Sequence, residues 1–188
     1  MLIDLSLPID ARMLTSKKEY KVFIEAGHAG THFEVVNKTF PLDSFRTRGK
    51  VVDISHIRDR EVQINDLAGI AVDEGDCVIF HTCYIDQLGY STESYMRRSA
   101  ELADETVDYL LGCGIRLIGV DAPGIQKFSK HAAVDQHCAD RGVFIIENLN
   151  NVKKLVDHGP APFIVYTAPL SRTDLTGLPC PVLAEFSD

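Results

Sequence analysis

The chain has 188 residues, 45% of them apolar, and 27 acidic against 19 basic side chains give a net charge of −8. That length predicts one domain spanning 1–188, able to bury about 70% of its unfolded surface without covalent staples. The acidic balance, with no basic cluster beyond Lys17 and Lys18, argues against a nucleic-acid partner. No apolar run approaches the ~18–20 residues of a membrane span, and the acidic start MLIDLSLPID is unlike an export signal. Five cysteines, odd in number and without a CxxC pair, read as reduced thiols, so the expected location is the cytoplasm.

Taken in chain order, apolar runs predict strands at 2–9, 21–26 and 51–57, then at 76–82, 116–121, 142–146, 163–168 and 182–186. The segment 27–38, with Gly27 and Gly30, reads as loop or strand. Met96, Ala100, Ala103, Val107 and Leu110 recur at helical spacing, predicting a helix over 93–111, capped by Ser91 or Thr92 and ended by Gly112 and Gly114. A second helix is expected over 131–141, and 168–182 reads as a long loop. Strand, helix, strand over 76–121 has the rhythm of a parallel crossover. Strands ending at Asp121 and at Glu147 each deliver a carboxylate where ligands sit in such α/β folds.

The sequence GHAGTHFEVVNK sets His28, His32, Glu34 and Lys38 at even positions. In an extended chain these side chains share one side, whereas on a helix Glu34 would lie about 200° round from His32. Two imidazoles and a carboxylate suit Zn(II) or Mn(II), an ion that activates water for hydrolysis at neutral pH. The competing reading is of histidines hydrogen-bonded within a loop.

HAGTHFE resembles the HxGTHxD signature of the cyclase-like, metal-dependent hydrolases, a family that includes bacterial kynurenine formamidase and isatin hydrolase. GDCVIFHTCY is similar to that family's GDxVLxHTGW segment, GIRLIGVDAPGI to GVRLVGIDxPSI and GVFIIENL to GIxIxENL, in the same order along the chain. The resemblance implies an α/β fold, a single compact β-rich domain of swivelling β/β/α type, and a homodimer or homotetramer. It also implies hydrolysis of an amide or cyclic amide C–N bond in a small molecule, in the manner of an arylformamidase.

Carried over by position, the resemblance makes His28, His32 and Glu34 metal ligands, Glu34 standing where Asp is usual, and makes Glu147 a further ligand. Two family histidines fall on Lys38 and Asp135, and the proline–histidine pair after the acidic ligand is replaced by VVNK. The expectation is therefore one divalent ion, Zn or Mn, with Glu147, His137 or Asp135 as proton acceptor. Lys38 is expected to pair with Glu34, to stabilise an oxyanion or to serve structurally. His131 and His137 stand about 120° apart on a helix, so one of them faces the site. Asp121 is open between the site and a turn, while Cys83 and Cys138 read as packing. The changes at Lys38 and Asp135 also fit a non-catalytic member that binds small molecules or acts as a structural oligomer.

Overall fold

The computed structural model describes residues 1–10 and 21–187, so Lys17 and Lys18 lie outside the described residues. Its strands are β1 (Leu2–Asp4), β2 (His32–Glu34), β3 (Arg46–Asp53), β4 (Asp76–His81), β5 (Leu117–Val120), β6 (Phe144–Glu147), β7 (Phe163–Thr167), β8 (Gly177–Pro179) and β9 (Val182–Phe186). The helices are α1 (Lys21–Glu25), α2 (Tyr84–Leu88), α3 (Glu93–Met96), α4 (Asp104–Gly112), α5 (Phe128–Asp140) and α6 (Val152–His158). The strands join one mixed sheet in the order β1-β9-β7-β3-β4-β5-β6-β2-β8. Neighbours from β3 to β6 run parallel and the remaining pairs run antiparallel.

The central strands are apolar nearly throughout because both faces are covered. Cys77, Ile79, Leu117, Phe144 and Ile146 enter one core, while their alternates Val78, Phe80, Ile118, Val120 and Ile145 enter another. The result is the α/β fold expected, a single domain with helices packed on a curled, β-rich sheet. The crossover β4–α4–β5 is present, with β4 and β5 parallel.

Local differences have physical causes. The predicted strand at 21–26 is the helix α1, since a short apolar run fits either state. The helix predicted over 93–111 is split. Thr92 caps α3 by accepting from the Tyr95 amide at 3.2 Å, but the chain then leaves the helix before α4. The amides of Ala100 and Leu102 donate instead to the carbonyls of Gly124 and Ile125 at 3.0 and 2.9 Å, and that of Ala103 to Val62 at 3.0 Å. Ala100, Leu102 and Ala103 are buried there, so tertiary partners override helical spacing. The tail read as loop contains β8, which covers the outer edge of β2, and α6 had no counterpart among the predicted elements.

Candidate metal centre

The site is built where parallel β6 meets antiparallel β2. His32 stands opposite Glu147 and Glu34 opposite Ile145, and directly opposed residues share a face of the sheet. Phe33, on the other face, is fully buried against Phe40 and Phe144, with ring centroids 5.1 and 5.3 Å away. Period two therefore brings His32 and Glu34 together, but His28 arrives by a different route. Gly27 has φ +94°, and a Cβ there would sit 1.8 Å from the Gly177 carbonyl oxygen. Only glycine lets the turn press against β8 and carry His28 to the end of β2. Gly124, with φ +134°, similarly leaves room for the ring of His131, whose Nδ1 lies 2.6 Å from the place of a Cβ.

Glu34 Oε1 is bracketed by His28 Nδ1 at 2.6 Å and His32 Nε2 at 2.8 Å. His32 Nε2 is also 3.4 Å from Glu147 Oε2, and His131 Nε2 is 3.3 Å from Glu147 Oε1 and 3.1 Å from Asp135 Oδ2. Away from the cluster, His28 Nε2 meets Thr176 Oγ1 at 2.8 Å and His32 Nδ1 donates to the Gly30 carbonyl at 2.9 Å. Two triads, His28–His32–Glu34 and Glu34–His131–Glu147, hold donor atoms within 4.8 Å of one another and share Glu34.

The electrostatics are those of buried carboxylates interleaved with imidazoles. Burial alone would raise Glu34, but hydrogen bonds from His28 and His32 hold its carboxyl at about 2. Burial works against a charged His32 ring, yet Glu147 and Glu34 together raise its pKa well above the ordinary histidine value. Burial also opposes charge on His131, and the carboxylates of Glu147, Asp135 and Glu34 outweigh it. Burial, with Glu147 and Glu34 nearby, pushes Asp135 up to about 8 against the attraction of His131. Glu147 Oε1 and Asp135 Oδ1 are buried without a hydrogen-bond partner. Clustered nitrogen and oxygen donors, with orphaned carboxylate oxygens among them, fit a divalent cation in type and number. The fit extends beyond the single triad of one ion, because His131 and Glu147 complete a second around Glu34.

These groups line a cavity of about 920 Å³. Its walls include Val36, Met96, Pro123, Phe128 and Ala132, with Tyr90, Glu93, Arg97, Asn148 and Thr176 as polar lining.

The sequence-predicted residues divide clearly. His28, His32, Glu34, Asp135 and Glu147 converge in the cavity. Lys38 does not. Val36 turns the chain with φ +55°, so the extended register ends, and Lys38 Nζ pairs with Asp140 at 2.6 Å rather than with Glu34. His137 is exposed on the far side of α5, its Nε2 2.8 Å from Asp108, outside the cavity lining. His131 is the histidine that faces the site, one turn before Asp135. Asp121 accepts from Thr82 N and Oγ1, both at 2.6 Å, and from Cys83 N at 2.9 Å, which makes it the clasp of the turn after β4. Cys138 is buried in the core. Thr176 and Tyr90 carried no signal in the sequence; for Asn148 only its place after Glu147 pointed to the site.

The chain belongs to the cyclase family: the family described as "Putative cyclase" matches residues 3–127, about two thirds of its length. Among solved structures it is similar to a potential metal-dependent hydrolase with cyclase activity, at 24% identity and TM-score 0.72 over 98% of both chains. A predicted metal-dependent hydrolase from Bacillus stearothermophilus shares 24% identity at TM-score 0.72, over 98% of this chain and 97% of that one. Isatin hydrolase A from Labrenzia aggregata, bound to benzyl benzoate, shares 19% identity at TM-score 0.75, over 100% and 94%. At these identities the neighbours establish the fold. No curated protein matches the chain. His131, Asp135 and Glu147 lie beyond the family match, so their place in the site rests on geometry.

Proposed function

We propose that the protein is a metal-dependent hydrolase that cleaves an amide or cyclic amide C–N bond in a small molecule, in the manner of an arylformamidase. The observation that carries this is the convergence of His28, His32, Glu34, His131 and Glu147 at one cavity, with Glu147 Oε1 buried among them without a hydrogen bond. The names of the structural neighbours, metal-dependent hydrolase and isatin hydrolase, support the same class.

His28, His32 and Glu34 would hold one Zn(II) or Mn(II) ion, and Glu34, His131 and Glu147 offer a place for a second. Such an ion lowers the pKa of bound water to about 7 and polarises a carbonyl oxygen. The chain supplies the rest. Asp135 stands beside the ligands with Oδ1 unpartnered, in reach to take up a proton. The Tyr90 hydroxyl accepts from the Gly30 amide at 2.7 Å and keeps its own proton to donate toward a substrate oxygen. Val36, Met96, Pro123 and Phe128 give an apolar wall that takes a ring and excludes water. A small-molecule substrate, a cytoplasmic setting and a homodimer or homotetramer complete the reading.

Protein purified without chelator and assayed on N-formylkynurenine and a panel of lactams tests it. The expected result is turnover that EDTA abolishes and Zn(II) or Mn(II) restores. Stoichiometric metal with no turnover across the panel would overturn the enzymatic reading, and less than ~0.2 ion per chain, unchanged by His32→Ala, the metal reading.

A further inference from the structure

The carbonyl of Gly30 accepts two hydrogen bonds, one from His32 Nδ1 at 2.9 Å and one from Asn148 Nδ2 at 3.0 Å. A carbonyl only accepts, so His32 Nδ1 carries a hydrogen and donates it there, and the nitrogen facing Glu34 and Glu147, 2.8 and 3.4 Å from their oxygens, is Nε2. The same carbonyl fixes the orientation of the Asn148 amide, since a flipped amide would set oxygen against oxygen. Asn148 Oδ1 then faces the Tyr95 hydroxyl at 2.7 Å, which must donate. Tyr95 is fully buried and Asn148 nearly so. Asn148 is itself held in a left-handed conformation, φ +56°, by its amide to Ala122 at 3.2 Å and by Thr31 Oγ1 donating to its carbonyl at 2.7 Å. Each hydrogen bond in the series Tyr95, Asn148, Gly30, His32 has its direction set by its neighbour.

We propose that Tyr95 and Asn148 are positioning residues for the metal centre, a buried clamp that holds the Gly30 carbonyl against His32 Nδ1 and thereby presents His32 Nε2 to the cavity. Neither side chain needs to touch substrate or metal for this role. The Gly30 carbonyl belongs to a glycine with φ +67°, in the turn between His28 and β2. Without the amide of Asn148, that peptide loses its second donor and the ring of His32 its fixed reference. Control of an imidazole by the partner of its other nitrogen is worth about 10- to 100-fold in metal affinity where it has been measured.

The inference rests on the metal reading above for one of its two readouts only. The first is the ring N–H spectrum of metal-free protein labelled with 15N-histidine, read as the rate at which the His32 Nδ1 hydrogen exchanges with solvent. Wild type is expected to hold that hydrogen in slow exchange on the Gly30 carbonyl, with Tyr95→Phe and Asn148→Gly exchanging it at least ~10-fold faster; glycine suits the left-handed φ at 148. The second is Zn(II) affinity by chelator competition, expected to fall about 10- to 100-fold in both variants. A purely structural role would lower the melting temperature while leaving the exchange of the Nδ1 hydrogen and the affinity as in wild type, and that result would overturn the proposal. Should Asn148→Gly not fold, Tyr95→Phe decides by the same criteria. A wild type that binds no Zn(II) would sink the metal reading and leave the exchange test standing.

Discussion

His131 and His137 sit six residues apart on α5, and the helix gives their rings unrelated surroundings. His131 reaches Glu147 and Asp135 inside the cavity, while His137 pairs with Asp108 in solvent. His131→Ala is therefore expected to lower kcat/KM by at least ~100-fold and to reduce bound metal, because it removes a donor from the second triad. His137→Ala should stay within ~2-fold of wild type and within ~0.5 kcal/mol in stability, as surface changes do. Steady-state kinetics and metal analysis of the two variants check this, and equal losses in both would refute the assignment. Lys38 is the third residue whose surroundings decide its role. Its partner Asp140 also accepts from Gln136 at 2.9 Å, so the lysine ties the end of β2 to the last turn of α5. A pair this exposed, at 36% and 54% for the two side chains, is screened by solvent and adds little to stability.

At the level of elements, β2 is only three residues long, and its precision comes from the strands that flank it. β6 and β8 pair with His32 and Glu34 on either side, and Gly27 and Gly177 let the preceding turn close on β8. Gly27→Ala forces a Cβ to within 1.8 Å of a backbone oxygen at φ +94°, where alanine is itself strained. The expected cost is about 2–4 kcal/mol, read by denaturant unfolding, together with weakened metal binding as His28 is displaced. Wild-type stability in that variant would contradict the packing described. Much of the site was legible in the chain because period two is a local property: His32, Glu34 and the buried Phe33 follow from it. Glu147 followed from an apolar strand ending in a carboxylate. What stayed hidden depends on contacts distant in sequence. β8 lies in a stretch with three prolines and forms because β2 offers it an edge to pair with. The break between α3 and α4 exists because Gly124, Ile125 and Val62 offer hydrogen bonds that no helical wheel records. Lys38 sat on the right parity, but the left-handed Val36 ended the register before it.

Across the whole molecule, the candidate centre draws together the turn at His28, strands β2 and β6, and helix α5, which are remote in sequence and neighbours only in the folded chain. Without a cation, this junction concentrates the buried carboxyl groups of Glu34, Asp135 and Glu147, a cost normally met by protonation or pairing. A divalent ion would meet it directly and would bind the native chain far better than the unfolded one, since the donors are scattered over some 120 positions from His28 to Glu147. Free metal at a hundredfold excess over Kd stabilises the native state by about 2.7 kcal/mol. In a domain of this size each kcal/mol moves the melting temperature by about 2–4 °C. Protein stripped with EDTA is thus expected to melt about 5–10 °C below the same protein restored with Zn(II) or Mn(II). His32→Ala should lose most of that difference, since its first triad is lost and only Glu34, His131 and Glu147 remain together. Calorimetry on the four samples separates the effects. An EDTA-insensitive wild type would mean that the junction is held by its own hydrogen bonds alone, whereas equal sensitivity in the variant would place the stabilising ion elsewhere.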